Sequence, residues 1–580
     1  MRAIFVGFLA LSAGARLAAA QDTAIVIHPE SASVRVDAPD LPRIVADEVI
    51  QFFNASTTTR LVGRSMLPAG NAWRGDVAVR NGPAIISGRI EGTLLVINGD
   101  AILGNEADIT ANLIVVGGTA TVPEGARVGG EVRQYREALP YRLSGETIEY
   151  APNLRNRLRG IGVQRTWATA DSRSSLSIAT GGTFNRVEGL PIVFGPVFDW
   201  RLRANARVRI DALGVLRSAG DLSDSRSDLG YMVRGEVRLG ESRGIAAGLR
   251  AFDVVAPIED WGLPAAEVGW EAFLFHRDYR DYYLSKGVAG YLLVQPERPL
   301  KLSLELRRDW QTSVQARDPW TLFRNDDTWR GNPPIDDGHY VSLSGALALD
   351  TRNDVSDPTS GWFVRGMIET SRSRDVAPRN DVPPTVRDPL PIGSYRYTRL
   401  FLDARRYARV SPSGRVNLRL VAGGRLGGDP LPMQRRLSLG GPDPMPGYTF
   451  RAGSCGESIT AVAFMGTQVA ACDRVLALQL EYRGHVSLNW SYNPSRGDDR
   501  PPLTQLWLEG LDLVVFGNTG QAWLVGSGPG SLPGDALPPI GDWLADVGLG
   551  IDWGGFGVYV AKAVTVGEHA RLTVRLDHRF

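Results

Sequence analysis

The chain closes with ARLTVRLDHRF, residues 570–580, and this stretch alternates strictly. Leu572, Val574, Leu576, His578 and Phe580 fall on one face, and Arg571, Thr573, Arg575, Asp577 and Arg579 on the other. A period of two is the pattern of a β-strand. A soluble sandwich would turn so charged a face to water. In a transmembrane barrel the apolar face meets lipid and the charged face lines a wet interior. The two readings differ in how many such strands the chain must hold.

Upstream there are many. From about Thr166 onward, runs such as VNLRLVAGGRL, RVLALQLEYRGHVSL, LDLVVFG, DVGLGIDW and FGVYVAKAV alternate with loops rich in Asp, Asn, Gly and Pro. Roughly 415 residues of this pattern exceed one soluble sandwich. Strands of about 10 residues, joined by alternating short and long connections, fit a barrel, whose closure also removes exposed edges. The mean hydropathy of −0.12 agrees, because each barrel strand gives only half its residues to lipid. The 64 basic and 63 acidic residues leave a formal charge of +1, so nucleic acid is excluded as the main partner.

The N-terminal MRAIFVGFLALSAGARLAAAQD has a basic Arg2, a short apolar run and small residues Ala18–Ala20, which reads as a signal peptide over residues 1–20. The run is too short for an anchor, which needs about 18 or more apolar residues. An exported chain meets an oxidising compartment, so Cys455 and Cys472 are expected to pair; the alternative is two free thiols.

Residues 21–135 follow another rule. DVAVRNGPAIISGRIEG, TLLVINGDAILGNEADITA and NLIVVGGTATVPEGARVGG place Ala84, Ala101 and Ala120 at equivalent positions, 17 and then 19 residues apart. Short β-branched runs between Gly turns at this period suggest coils of a β-solenoid, similar to the bactofilin repeat. An antiparallel meander is the alternative. Ahead of it, PRIVADEVIQFF has apolar residues near helical spacing and could cap the first coil. Residues 136–165 turn polar and Arg-rich and read as a linker or plug segment, and the barrel is expected over residues 166–580.

Several blocks of this barrel together resemble the BamA/TamA-type outer-membrane assembly barrels, the bacterial surface antigen superfamily. FNRVEGLPIVFGP (184–196) resembles a first barrel strand. DTRNDVSDPTSGWFV (350–364) resembles the family's strand–turn–strand block through Asp350, Arg352, Asp354, Pro358 and Gly361. RRLSLGGPDPMPGYTF (435–450) falls at the lumen-loop motif, with Gly440, Gly441, Gly447 and Tyr448 matching. LQLEYR (478–483), VFGNTGQAW (515–523) and GLGIDWGGFGVYVAKAV (548–564) follow in order, so the blocks span roughly 230 residues. Leu576, His578 and Phe580 resemble the C-terminal insertion signal of outer-membrane barrels.

The resemblance implies sixteen strands and a loop that enters the barrel, held by an arginine on acidic wall residues. Here Pro446 stands where the arginine is expected, and proline donates no hydrogen bond. The wall partners fall at Glu481, which is retained, and at Asn518, where aspartate is expected. Arg451 is a candidate replacement on Glu481. Alternatively Glu481 pairs with a lumen arginine, and rigid Pro/Gly backbone with the disulfide holds the loop. The family's periplasmic POTRA modules are replaced by the solenoid pattern.

No G-x-S-x-G elbow, P-loop or paired-Cys metal pattern is present. Asp326, Asp327, Asp336, Asp337 and His339 read as a solvated acidic loop or, less simply, a divalent-cation site. The expectation is an all-β chain: an outer-membrane barrel preceded by a periplasmic solenoid-like domain, without enzymatic chemistry or cofactor. Its partners would be outer-membrane lipid, the barrel assembly machinery for its own insertion, a client polypeptide, and a periplasmic or cell-wall partner of the solenoid. The function implied is outer-membrane protein assembly or translocation. The alternative is a structural barrel or solute channel with a solenoid docking module.

Overall fold

The computed structural model describes residues 43–580 except 136–138, 140, 145–146, 151–161, 170–171, 181–182, 204–205, 220–227, 241–243, 298–299, 353–356, 378–389, 392–393, 412, 454, 456–470, 493–503, 528–529, 554, 565–566 and 568. The signal-peptide stretch and Asp354 therefore lie outside the described residues.

The repeat builds a parallel β-solenoid. Strands β1 (Thr59–Val62), β2 (Ser65–Leu67) and β3 (Ala72–Arg74) begin three stacks. They continue through β4 (Val77–Arg80), β5 (Ala84–Ile86), β6 (Arg89–Glu91), β7 (Leu94–Ile97), β8 (Ala101–Leu103), β9 (Asp108–Ile109), β10 (Leu113–Val116), β11 (Ala120–Thr121), β12 (Arg127–Val128) and β13 (Val132–Tyr135). One sheet runs β1-β4-β7-β10-β13, and the other two run β2-β5-β8-β11 and β3-β6-β9-β12. Every pair is parallel, which excludes the meander. Val79, Val96 and Val115 stack in register inside. Asn81 and Asn98 take the left-handed conformation that their turns require, a region asparagine tolerates. Each coil so buries its apolar side on the next.

Helix α1 (Arg43–Asn54) does not cap the coil end, as its pattern suggested. Val45, Ala46, Val49 and Phe53 pack on Ala78, Leu95, Ile97, Ile114 and Val116, the outer face of the five-stranded sheet. That face is apolar on both sides, so a lateral cover buries more of it than an end cap could. A hairpin of β14 (Tyr141–Ser144) and β15 (Thr147–Tyr150) joins the same layer. Asn54 exchanges two hydrogen bonds with the Ile148 backbone, and Asn98 does the same with Leu139. The expected linker is thus shorter than 136–165: its early part packs with the solenoid, and its last residues start the barrel.

The barrel strands are β16 (Gly162–Ala168), β17 (Ser172–Thr180), β18 (Pro191–Arg203), β19 (Ala206–Arg217), β20 (Leu229–Leu239), β21 (Gly244–Pro257), β22 (Tyr282–Glu297), β23 (Leu300–Ser313) and β24 (Gly338–Asp350). They continue as β25 (Gly361–Ser373), β26 (Tyr395–Arg409), β27 (Gly414–Gly428), β28 (Arg474–Tyr492), β29 (Thr504–Val525), β30 (Ser531–Leu532), β31 (Leu544–Trp553), β32 (Phe556–Ala563) and β33 (Arg571–Arg575). They form one eighteen-strand sheet in sequence order, in which the two-residue β30 lies parallel on β29. The other seventeen strands among the described residues pair antiparallel, one more than the sixteen expected, and two of them, β16 and β17, precede the block 184–196 expected to hold the first strand.

The sheet is inside-out relative to a soluble protein. On β23, Leu302, Leu304 and Leu306 are exposed while Glu305, Arg307 and Asp309 are buried. Leu249 is 73% exposed and its neighbour Arg250 only 6%. Apolar side chains outside and paired charges inside are stable only if the outside is lipid. Connections alternate between short ones, as between β18 and β19 or β22 and β23, and long ones, as between β21 and β22, β23 and β24 or β27 and β28, so the strand ends define a short-turn end and a long-loop end.

A helix stands between β21 and β22, where the sequence carries no helical pattern. Helix α2 (Ala265–Phe275) follows Pro264 in the β21–β22 loop and stops at His276, which has a left-handed backbone. Glu267 on α2 reaches Arg575 of β33 at 2.7 Å, and Trp261 O in the same loop accepts from Arg419 of β27 at 2.6 Å. Strands distant in the sheet order therefore face one interior, and the sheet is curled around it.

Candidate functional site: the lumen loop and its wall

The loop between β27 and β28 enters this interior through residues 433–448. From Met433 to Tyr448 only Pro442 is less than fully buried. Gly440 carries φ +112°, a region L side chains rarely enter, so the chain can reverse there. Gly441 follows at φ +101° and touches Met445 through a backbone bridge. Cys455 and Cys472 form the disulfide that closes the loop's stem, and Leu437 pairs with Cys472 beside it.

Pro446 is buried and holds no wall carboxylate, but the loop is not loose. Its polarity of attachment is reversed. Asp443 of the loop accepts from Arg419 of β27 at 3.1 Å and from Gln479 of β28 at 3.2 Å, and Gln479 also donates to Pro444 O at 3.0 Å. Arg419 is simultaneously bound to Asp403 of β26 at 2.9 Å, so wall arginine meets loop acid with both charges compensated. Next along the loop, the Gly447 N–H donates to Asp546 Oδ2 at 2.7 Å. Tyr448 fixes the following turn, its hydroxyl donating to Ala545 O and accepting from Ala545 N.

Gly447 is needed for approach rather than for dihedral freedom. A Cβ there would lie 2.6 Å from Asp546 Cβ and 2.7 Å from Ala563 N. The aspartate expected at 518 has in effect moved one strand over: Asn518 and Asp546 are direct cross-strand partners, and Asn518 donates to Asp546 Oδ1 at 2.6 Å.

Arg451 does not reach Glu481. It is buried between Asp281 and Glu259, 3.1 Å from the latter, with its guanidinium over the Phe450 ring. Its left-handed backbone, φ +59°, aims it at the β21–β22 loop instead of the β28 wall. Glu481 pairs with Arg483 on its own strand and with Arg579 at 3.2 Å. A lumen arginine at Glu481 was the other reading of the sequence.

Asp281 sits at the centre of a second knot at the long-loop end. Arg186 from the β17–β18 loop and Arg330 from the β23–β24 loop each lie 2.7 Å from it, and Arg451 contacts it too. Asp278 shares Arg186 at 3.0 Å, and Glu259 also accepts both Ser438 N and Ser438 Oγ at 2.8 Å. Burial works to raise the Asp281 carboxyl, but Arg330, Arg451 and Arg186 outweigh it and hold it well below the usual carboxylate range. Glu259 goes the other way: burial raises it more than Arg451 lowers it. Four loops are thereby tied across the mouth of the barrel. A cavity of about 40 Å³ lies beneath, lined by Trp261, Arg280 and Asp443.

The strand–turn block sits at the short-turn end. Asp350 binds Arg352 through two bonds of 2.9 and 2.6 Å, and Arg352 stacks over Phe363. Pro358 is buried, and Gly361 at φ +112° packs against Thr351 O. The acidic-loop residues do not converge on one point. Asp336 is buried and accepts Met433 N, Asp337 accepts Ser313, His339 meets Arg308, and Asp326 and Asp327 are exposed.

The C-terminal stretch departs from its alternation. β33 ends at Arg575, with Leu572 and Val574 on the lipid side; Leu576–Phe580 leave the strand and turn inward. His578 contacts Asp552 at 3.1 Å and Asp357 at 3.3 Å, and Arg579 and Phe580 are buried. Phe580 is thus not a lipid-facing strand residue. Charge pairing inside outweighs the register of the pattern; the alternation put Arg579 on the interior face, but nothing in it marked Glu481 and Asn518 as its partners.

A curled sheet with a lipid-facing exterior, a charged interior and a loop seated within is an outer-membrane barrel. Residues 267–493, from helix α2 to the end of β28 and including the loop between β27 and β28, match the Omp85 superfamily domain. No curated protein sequence matches the chain. Among solved structures it is similar to BamA from Haemophilus ducreyi lacking POTRA domains 1–3, at 11% identity over 72% of this chain and 74% of that one, TM-score 0.39. It is also similar to CdiB from Acinetobacter baumannii (11% identity, 76% and 70% covered, TM-score 0.30) and CdiB from Escherichia coli (13%, 70% and 62%, TM-score 0.28). At such scores the likeness of shape is loose.

Proposed function

We propose that the protein assembles polypeptide into, or moves it across, the outer membrane, without covalent chemistry. The observation that supports this most is the Pro/Gly loop seated on the β27–β28 wall inside an Omp85 superfamily barrel. A lumen filled by this loop and tied shut by the Asp281 knot speaks against a steadily open solute channel. Depletion in the native organism, followed by a census of outer-membrane proteins, tests the reading: the census should fall, and an unchanged one removes it.

In this reading the solenoid lies in the periplasm and stands where receiving modules would, docking a client polypeptide or a cell-wall partner. β16 runs from the long-loop end toward the short turns. Protease added to intact cells should spare the solenoid and cleave it only after the outer membrane is permeabilised; cleavage in intact cells places it outside.

A further inference from the structure

The wall pair Glu481 and Asn518 is occupied, and the occupant comes from the end of the chain. Arg579 Nε lies 3.2 Å from Glu481 Oε2, an ion contact, and Arg579 Nη2 donates to Asn518 Oδ1 at 3.0 Å. Its guanidinium carbon sits 3.6 Å from the centroid of the Phe516 ring. A carboxylate, an amide oxygen and an aromatic face together satisfy a planar guanidinium as they would not an ammonium. All four side chains are buried.

Asn518 also faces the other way. Its Nδ2 donates to Asp546, whose second oxygen takes the Gly447 N–H at the loop's apex. One amide is thus shared between the C-terminal tail and the lumen loop. By binding Asn518 Oδ1, Arg579 fixes which way that amide points, and only in this orientation does its NH2 meet Asp546. His578 on Asp552 and Asp357, and Glu267 on Arg575 and the Leu576 N–H, hold the tail along its length.

From this relay we infer that the C-terminal tail is a latch on the lumen loop, with Arg579 as its positioning residue. It supplies from the last strand the cation that Pro446 cannot supply from the loop. β33 ends the sheet order and pairs only with β32 among the described strands. Movement of this edge strand withdraws Arg579, releases the Asn518 amide and loosens the loop apex. The inference concerns how the loop is held and stands whether or not the barrel assembles polypeptide.

The test uses the full-length chain in lipid vesicles with a nitroxide on Thr449→Cys, an exposed loop position; the two native cysteines are already joined. Arg579→Ala is expected to raise the mobile fraction of the label about threefold or more, the scale of coupling carried by packed networks. Asn518→Leu cuts the relay while leaving the Arg579–Glu481 pair, and should loosen the loop by a similar factor. It decides the matter if Arg579→Ala does not fold. An unchanged spectrum in Asn518→Leu, or in an Arg579→Ala protein that keeps its heat-modifiable folded band, overturns the latch.

Discussion

At the scale of single residues, the loop is held by exchanging roles rather than losing them. Where an arginine is expected on the loop there is Pro446; the loop instead offers Asp443 to Arg419, and its apex amide to Asp546. Gly447 makes that apex fit, since any side chain would enter Asp546 and the β32 backbone. Gly447→Ala is therefore expected to cost about 1–3 kcal/mol as overpacking and to expel the apex. Denaturant midpoints of the refolded protein, together with protease cleavage within 440–455, measure this; an unchanged midpoint and an uncut loop would show that the apex is not tightly seated. The glycines and Tyr448 were legible in the sequence because turn chemistry is local. Arg451's partners were not, because a left-handed backbone at a non-glycine residue carries no sequence mark, and it alone turns Arg451 from Glu481 toward Glu259.

At the scale of elements, the sequence reading found the strands and missed what lies between them. Alternation over β23, β28 and β32 is visible because each face has one environment. Helix α2 was hidden, since its buried face is short (Glu267, Val268, Gly269, Ala272) and includes a carboxylate whose partner, Arg575, is some 300 positions away. The knot around Asp281 is of the same kind: its arginines come from three loops far apart in sequence. Asp281→Asn leaves Arg186, Arg330 and Arg451 underpaired in a buried site and is expected to cost about 3–5 kcal/mol. Because the folded protein holds this carboxyl below its ordinary range, its contribution is present above about pH 4 and is lost as the pH falls further. The difference in unfolding midpoint between wild type and Asp281→Asn should accordingly be largest near neutrality and shrink in acid. A difference that grows on acidification would show that the knot is not held by this charge.

At the scale of the whole molecule, two architectures with opposite solvent logic share one chain. The solenoid buries Val79, Val96 and Val115 inside each coil. The barrel buries Arg419, Glu481 and Arg483 inside and turns Leu249, Leu549 and Leu572 outward. The repeat period and the strand alternation revealed both, because each is a statement about which face is dry. Where the last strand ends was not legible: LDHRF continues the alternation perfectly, and only the lumen acids waiting at Glu481, Asp357 and Asp552 explain why it leaves the sheet. We propose that this barrel assists the folding or passage of polypeptide. It is tested most directly by the rate at which an unfolded client barrel folds into lipid vesicles that do or do not contain the full-length protein. Client folding is expected to be faster in the loaded vesicles; equal rates, with the protein itself shown to be folded there, would refute the proposal.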